Sequence, residues 1–226
     1  MNYQLALPSA KELAAQFKDE VKNLPLQNTP NVRNIRRKYS AALKEAAPDY
    51  VLDLVHALIF KYGYRGPAYE LVFYHKNTYQ SLSEAEVEAL GQGINSWWSV
   101  DSFARLISGP TWRDGQVEDD LIQKWARAED QWWRRAALVS TVALNVKTHG
   151  GTGDTERTLA VCRLLVDDHD DMVVKAMSWA LRELVPWDPE AVKVFLSHYD
   201  YRLASRVKRE VNNKLNTGLK NPRFNQ

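Results

Sequence analysis

The sequence is poor in nearly every feature that marks a secreted, membrane-spanning or cofactor-dependent protein. Its 226 residues include one cysteine, Cys162. No disulfide can form within the chain, and a reducing, intracellular compartment is expected. Residues 1–30 lack the basic start, apolar run and small-residue cleavage site of a secretory leader. No stretch approaches the ~20 uninterrupted apolar residues that cross a bilayer. A cytoplasmic location with no membrane partner is the expectation. The five histidines, His56, His75, His149, His169 and His198, show no metal-ligand spacing, so no metal is expected. Gly150-Gly151-Thr152-Gly153-Asp154 is glycine-rich, but no Lys-Ser/Thr pair follows, which excludes a P-loop. The run Asp167 to Asp171 lacks the calcium-loop pattern and reads as a turn between helices. Lone Cys162 is expected to be buried in its helix. No cofactor is implied.

What is present is an ordinary core and an uneven charge distribution. Hydrophobic residues make up 45% of the chain and charged residues 26%, which supports a packed core and excludes wholesale disorder. The net charge is only +2, so bulk charge does not point to nucleic acid. Its placement says more. Arg33, Arg36, Arg37, Lys38 and Lys44 cluster early, and Arg202, Arg206, Lys208, Arg209, Lys214, Lys220 and Arg223 cluster late. Acidic residues gather at Glu118-Asp119-Asp120 and at Asp167 to Asp171. A basic face suits a polyanion, and it equally suits solvated helix surface.

Helical periodicity runs through almost the whole chain, and the apolar/polar alternation of strands is scarce. Ser9 with Glu12, and Ser83 with Glu86, have capping-box spacing. Thr29-Pro30, Pro48-Asp49 and Gly66-Pro67 open further helices, because proline loses nothing in a first helical turn. Asn95, Asp130, Asp154, Asp171, Asp188 and Asp200 are candidate N-caps. About a dozen short helices follow, with brief connections.

The helices also echo one another. Asn95-Ser96-Trp97-Trp98 resembles Asp130-Gln131-Trp132-Trp133. The latter, continued through Arg134-Arg135-Ala136-Ala137, aligns with Asp170-Asp171-Met172-Val173-Val174-Lys175-Ala176-Met177. Asp49-Tyr50-Val51-Leu52 is a weaker echo. Spacings of about 35 and 40 residues are the period of HEAT and armadillo arrays, whose helix pairs bury their apolar faces only by stacking. The expectation is an all-α, curved solenoid of HEAT-like helix pairs, with residues 1–226 forming a single domain. Gly150 to Gly153 is expected to be its most flexible linker.

All eight tryptophans fall between Trp97 and Trp187. Most are expected in the core. Trp97 and Asp101, four apart, share a helix face, while Trp98 points elsewhere and can be core. An indole offers a wall for a cation, and a carboxylate can stabilise developing positive charge or orient a water. Such pairs also arise on many helices without chemistry. Arg135 stands where helical arrays often place a repeat-to-repeat salt bridge, so a structural role and a functional one both remain open for it. Lys175, Trp179 and Arg182 share one face, an aromatic framed by two cations, which suits phosphates beside a nucleoside.

At these residues the sequence resembles the AlkD family of bacterial DNA alkylation-repair glycosylases, built from HEAT-like repeats. The resemblance spans essentially the whole chain. It is carried by Thr29-Pro30-Asn31-Val32-Arg33, by Ser96-Trp97-Trp98-Ser99-Val100-Asp101, by Trp132-Trp133-Arg134-Arg135-Ala136-Ala137 and by Lys175-Ala176-Met177-Ser178-Trp179-Ala180-Leu181-Arg182-Glu183. It implies that Asp101 is the catalytic carboxylate, with Trp97 and Trp179 as aromatic walls beside the lesion's deoxyribose. It implies that Arg135 holds a backbone phosphate and shapes the groove, and that Arg182 contacts backbone. Phosphate contacts from Lys175, Arg33, Arg36 and Arg37 complete the expected interface. The implied activity is hydrolysis of the N-glycosidic bond of cationic purines, N7-alkylguanine and N3-alkyladenine, in double-stranded DNA without base flipping, by a monomer. Two other classes stay open: a non-catalytic binder of branched or damaged DNA, and a helical protein–protein scaffold.

Overall fold

The structure is a computed structural model that describes residues 7–222; Arg223 of the late basic segment lies outside them. It is all-helical, and no strand occurs among the described residues. The chain divides into two compact units, residues 1–90 and 91–226.

In the first unit the helices are α1 (Ala10–Lys22), α2 (Thr29–Ala42), α3 (Pro48–His56), α4 (Arg65–Tyr74), α5 (Lys76–Ser81) and α6 (Glu84–Gly91), the last ending at the unit boundary. α1 forms because Ser9 and Glu12 close the expected capping box, each satisfying the other's backbone N–H. Its buried side, Leu13, Ala14, Phe17 and Val21, follows the helical period. Phe17 meets Tyr39 of α2 edge-to-face with ring centroids 5.0 Å apart. The Ser83–Glu86 box also forms, with the Ser83 amide donating to the Glu86 carboxylate at 2.8 Å.

The second unit holds α7 (Trp97–Phe103), α8 (Gly109–Arg113), α9 (Asp119–Ala126), α10 (Gln131–Ser140), α11 (Val142–Asn145), α12 (Thr155–Leu164), α13 (Asp171–Leu184), α14 (Pro189–His198) and α15 (Ser205–Thr217). Three of the echoing segments become α7, α10 and α13, and they pack side by side with α10 central; α15 packs on the far side of α13. The second half of α10 suits this place: Ala136, Ala137, Leu138 and Val139 are apolar in succession, and with Ser140 all are buried. Ion pairs cross between these helices and their leading turns at a regular spacing. Asp101–Arg135 and Arg134–Asp168 lie 34 residues apart, and Asp167–Arg202 and Asp171–Arg206 lie 35 apart. The weaker echo has a counterpart too. α3 and α7 each run directly into a wide π turn, Ala57–Lys61 and Ala104–Ser108.

Several sequence expectations are corrected. Asp130, Asp154 and Asp188 are N-caps as expected. α7, however, is capped by Ser96 and not Asn95, and α13 by Asp170 and not Asp171, because those residues carry the extended backbone from which a side chain reaches the free amides. Asp200 caps nothing. α15 begins at Ser205 after Ala204, and Asp200 pairs with Lys208 at 3.1 Å. The Gly150–Gly153 stretch is a packed turn and no loose tether. A β-carbon on Gly151 would lie 2.6 Å from the Val146 amide nitrogen, and one on Gly153 2.6 Å from the Trp187 ring. These glycines are there for close approach.

Candidate nucleic-acid interface

α7 begins at Ser96, whose hydroxyl and that of Ser99 cap it reciprocally. That start places Trp97 and Trp98 in the first turn, both exposed, at 58% and 47%. Trp98, which the sequence left free to join the core, is largely at the surface. The core tryptophans are Trp112 and Trp125, with Trp133 half-buried 4.8 Å from Trp125 between ring centroids.

One turn into α7, Asp101 turns toward α10. Arg135 meets it as a fork: Nε donates to Oδ1 at 2.9 Å and Nη2 to Oδ2 at 3.0 Å. The third guanidinium nitrogen, Nη1, donates to the Met172 carbonyl in the first turn of α13 at 2.5 Å. Arg135 thus ties three helices together, and the repeat-to-repeat bridge weighed for it from sequence is present. Its side chain is 6% exposed and that of Asp101 17%. Burial pushes the Asp101 carboxyl above its ordinary range, opposed by the adjacent Arg135 and Arg105 guanidinium groups. Each carboxylate oxygen spends one lone pair on Arg135 and keeps another. Asp101 is held rigidly, accessible at its edge.

Arg135 also forms part of the wall of an open depression of about 370 Å³, completed by Lys175, Trp179, Arg182, Arg206, Glu210 and Lys220. The Lys175–Trp179–Arg182 face of α13 appears here as its spacing predicts. The Trp179 indole N–H donates to Glu183 at 3.0 Å, which fixes the ring. Lys175 pairs with Asp171 at 2.6 Å. Arg182 donates from Nε to the Ser178 hydroxyl at 3.2 Å. Its burial lowers its affinity for the proton, against the pull of Glu210 and Glu183.

Two wall residues, Arg206 and Lys220, count in the sequence only as members of a basic segment, and Glu210 escapes notice. A signal for Glu210 exists: it shares the apolar stripe of α15 with Val207 and Val211, where a carboxylate has no business without partners.

The early basic residues behave differently. In the first unit, Arg33 and Arg36 converge from α2 on Glu70 of α4, each Nε donating to one carboxylate oxygen at 2.8 Å. Arg36 is buried, and its guanidinium stacks 4.6 Å from the Tyr74 ring centroid. Arg37 is exposed and, among the described residues, donates only to Asn34, at 3.3 Å.

Among the described residues no group of three or more histidine, cysteine or carboxylate side chains is placed to hold a metal ion, and no helix is long and apolar enough to cross a membrane. The Cys162 thiol, fully buried, is pushed up to about 12 by loss of solvent.

A family model described as DNA alkylation repair enzyme matches residues 6–215. The chain belongs to that family. Its role accordingly lies in the repair of alkylated DNA, and the basic, tryptophan-bearing depression of the second unit lies within the matched region except for Lys220. No curated protein and no solved structure matches the chain.

Proposed function

We propose that the chain is a monofunctional DNA glycosylase that releases cationic alkylated purines, N7-alkylguanine and N3-alkyladenine, from duplex DNA. The observation that carries the reading is the forked Asp101–Arg135 pair: it presents a fixed, edge-accessible carboxylate from the same guanidinium that lines a cationic depression with Trp179.

The chemistry follows from the substrate. Alkylation leaves the purine positively charged and a good leaving group. When the bond between C1′ and the purine nitrogen breaks, its electron pair neutralises the base, and positive charge develops on the sugar. Asp101 stabilises that charge and orients a water, whose oxygen bonds to C1′ and whose proton leaves to solvent. Arg135 opposes the upward push of burial on the Asp101 carboxyl and prealigns it, which suits electrostatic stabilisation better than proton shuttling. Trp97 and Trp179 add cation–π attraction of roughly 0.5–2 kcal/mol each. In the second unit Lys175 and Arg182 receive phosphates; within the first unit, taken by itself, the exposed Arg37 and Arg33 are the candidates for phosphate contact. The lining of the depression carries one indole, Trp179, among charged side chains, which supports hydrolysis with the base still stacked. The echoing helices are read as HEAT-like elements.

A second reading keeps the interface and drops the chemistry. The Arg135 bridge favours it to this extent, that a DNA binder needs the same tie between helices. Incubation with duplex DNA carrying 7-methylguanine separates the two. Free 7-methylguanine is expected in proportion to enzyme. Tight duplex binding with release no faster than the spontaneous rate would leave a binder only.

A further inference from the structure

The end of α15 builds a feature that the reading above does not use. Gly218 closes the helix with φ +73°, a left-handed conformation that favours glycine, and its amide donates to Lys214 at 2.9 Å. The chain then doubles back. The Asn213 side-chain amide donates to the Lys220 carbonyl at 3.0 Å, and the Lys220 ammonium comes within 3.3 Å of Glu210. Lys220 lies beyond the family match, which stops at residue 215.

Glu210 is the centre of this arrangement. Its side chain is 7% exposed, and it accepts from the Ser178 hydroxyl at 2.6 Å. Arg182 and Arg206 approach it at 4.0 and 3.9 Å, beyond hydrogen-bond reach. The carboxylate therefore gathers three cations and engages only the Lys220 ammonium at hydrogen-bond distance, which leaves that group two further N–H donors. Among the described residues, neither terminal nitrogen of Arg182 donates a hydrogen bond, and Arg206 spends only Nη1, on Asp171 at 2.9 Å. Burial acts to raise the Glu210 pKa, but the Ser178 hydrogen bond, Lys220 and Arg182 outweigh it, and the group stays ionised. A buried anion surrounded by more cations than it can neutralise, all on the wall of one depression with donors to spare, suits a second anion arriving from outside.

We propose that Arg182, Arg206 and Lys220, preset by Glu210 as a positioning residue, form a seat for one backbone phosphate of duplex DNA beside Trp179. The proposal rests on the DNA reading above and adds a tail lysine and a buried carboxylate to it. Glu210 acts by fixing where the cations stand, although its own charge repels the phosphate.

Binding to an unmodified duplex oligonucleotide, titrated with salt, tests the seat without involving base chemistry. Lys220→Ala is expected to weaken binding several-fold at low salt and to reduce the log–log salt slope by about 0.9, the share of one phosphate. Lys220→Arg is expected to restore both. Glu210→Gln sharpens the test, because simple charge counting makes that variant bind tighter, whereas loss of preset cations makes it bind weaker. If Glu210→Gln fails to fold, judged by its melting curve, the exposed Lys220 pair decides alone. An unchanged slope in Lys220→Ala, tighter binding by folded Glu210→Gln, or no duplex binding by the wild type overturns the seat. Failure of the glycosylase reading shows separately, as wild-type protein that binds duplex yet releases no base.

Discussion

Arg135 grips Asp101 with two nitrogens and the first turn of α13 with the third, so one side chain both fixes the candidate catalytic acid and fastens three helices. Stability and chemistry should then be coupled at this pair. Breaking a buried ion pair from one side strands a charge and typically costs ~3–5 kcal/mol, less where one partner keeps some solvent. Arg135→Met and Asp101→Asn are each expected to lower the urea midpoint. The double variant should lose less than the sum, with a coupling energy on the order of 1–3 kcal/mol. Additive losses would mean that the pair is not energetically linked.

The Asp101 carboxyl is raised above its ordinary value by burial, with Arg135 and Arg105 opposing. The proposed mechanism uses the ionised form, so activity is expected to fall as pH drops through a pKa above 3.8. The stability sign is opposite to that of a stabilised carboxylate. The folded state binds this proton more tightly than the unfolded chain, so the Asp101 contribution is most favourable at low pH and is lost as pH rises through the folded pKa. Single-turnover release against pH, corrected for spontaneous depurination, measures the activity limb. A limb that persists unchanged in Asp101→Asn belongs to another group.

The exposed indole of Trp97 separates function from folding. Trp97→Ala should leave the melting temperature close to wild type, because surface substitutions usually stay within about 0.5 kcal/mol. It should slow base release by roughly 2- to 30-fold, the rate equivalent of one cation–π contact. Trp179→Phe, which keeps a ring but loses the N–H that Glu183 holds, should fall between wild type and Trp179→Ala. Wild-type release rates in all three variants would remove the aromatic walls from the mechanism.

Arg36 and Arg37 are neighbours with opposite fates. Arg36→Ala strands the buried Glu70 carboxylate and is expected to cost stability, of order 2–4 kcal/mol with Arg33 still present. Arg37→Ala should leave stability alone and weaken duplex binding. The two melting curves and one salt titration check this; a stable Arg36→Ala protein with selectively lost DNA affinity would reverse the assignment.

Helix content and the chief chemical face were legible because both depend on local spacing. Ser9 with Glu12 and Ser83 with Glu86 satisfy amides within one turn, and Lys175, Trp179 and Arg182 share a face whatever surrounds them. The N-caps were readable only to within a residue. In Asn95-Ser96 and Asp170-Asp171 both members are good caps, and backbone dihedrals choose between them. The glycines at 150–153 misled because composition cannot distinguish freedom from close packing against Trp187. Glu210 and Lys220 were illegible as a site because a returning tail and a helix packed on α13 bring them together. Arg36 could not be told from Arg37, since its partner Glu70 lies 34 residues away.

The central claim is that Asp101 supplies transition-state charge, and single-turnover release of 7-methylguanine from duplex DNA by wild type and by folded Asp101→Asn tests it most directly. Release is expected to fall by ~100-fold or more, the loss of one preorganised electrostatic group, with duplex affinity close to wild type. Equal release by the two proteins would contradict it.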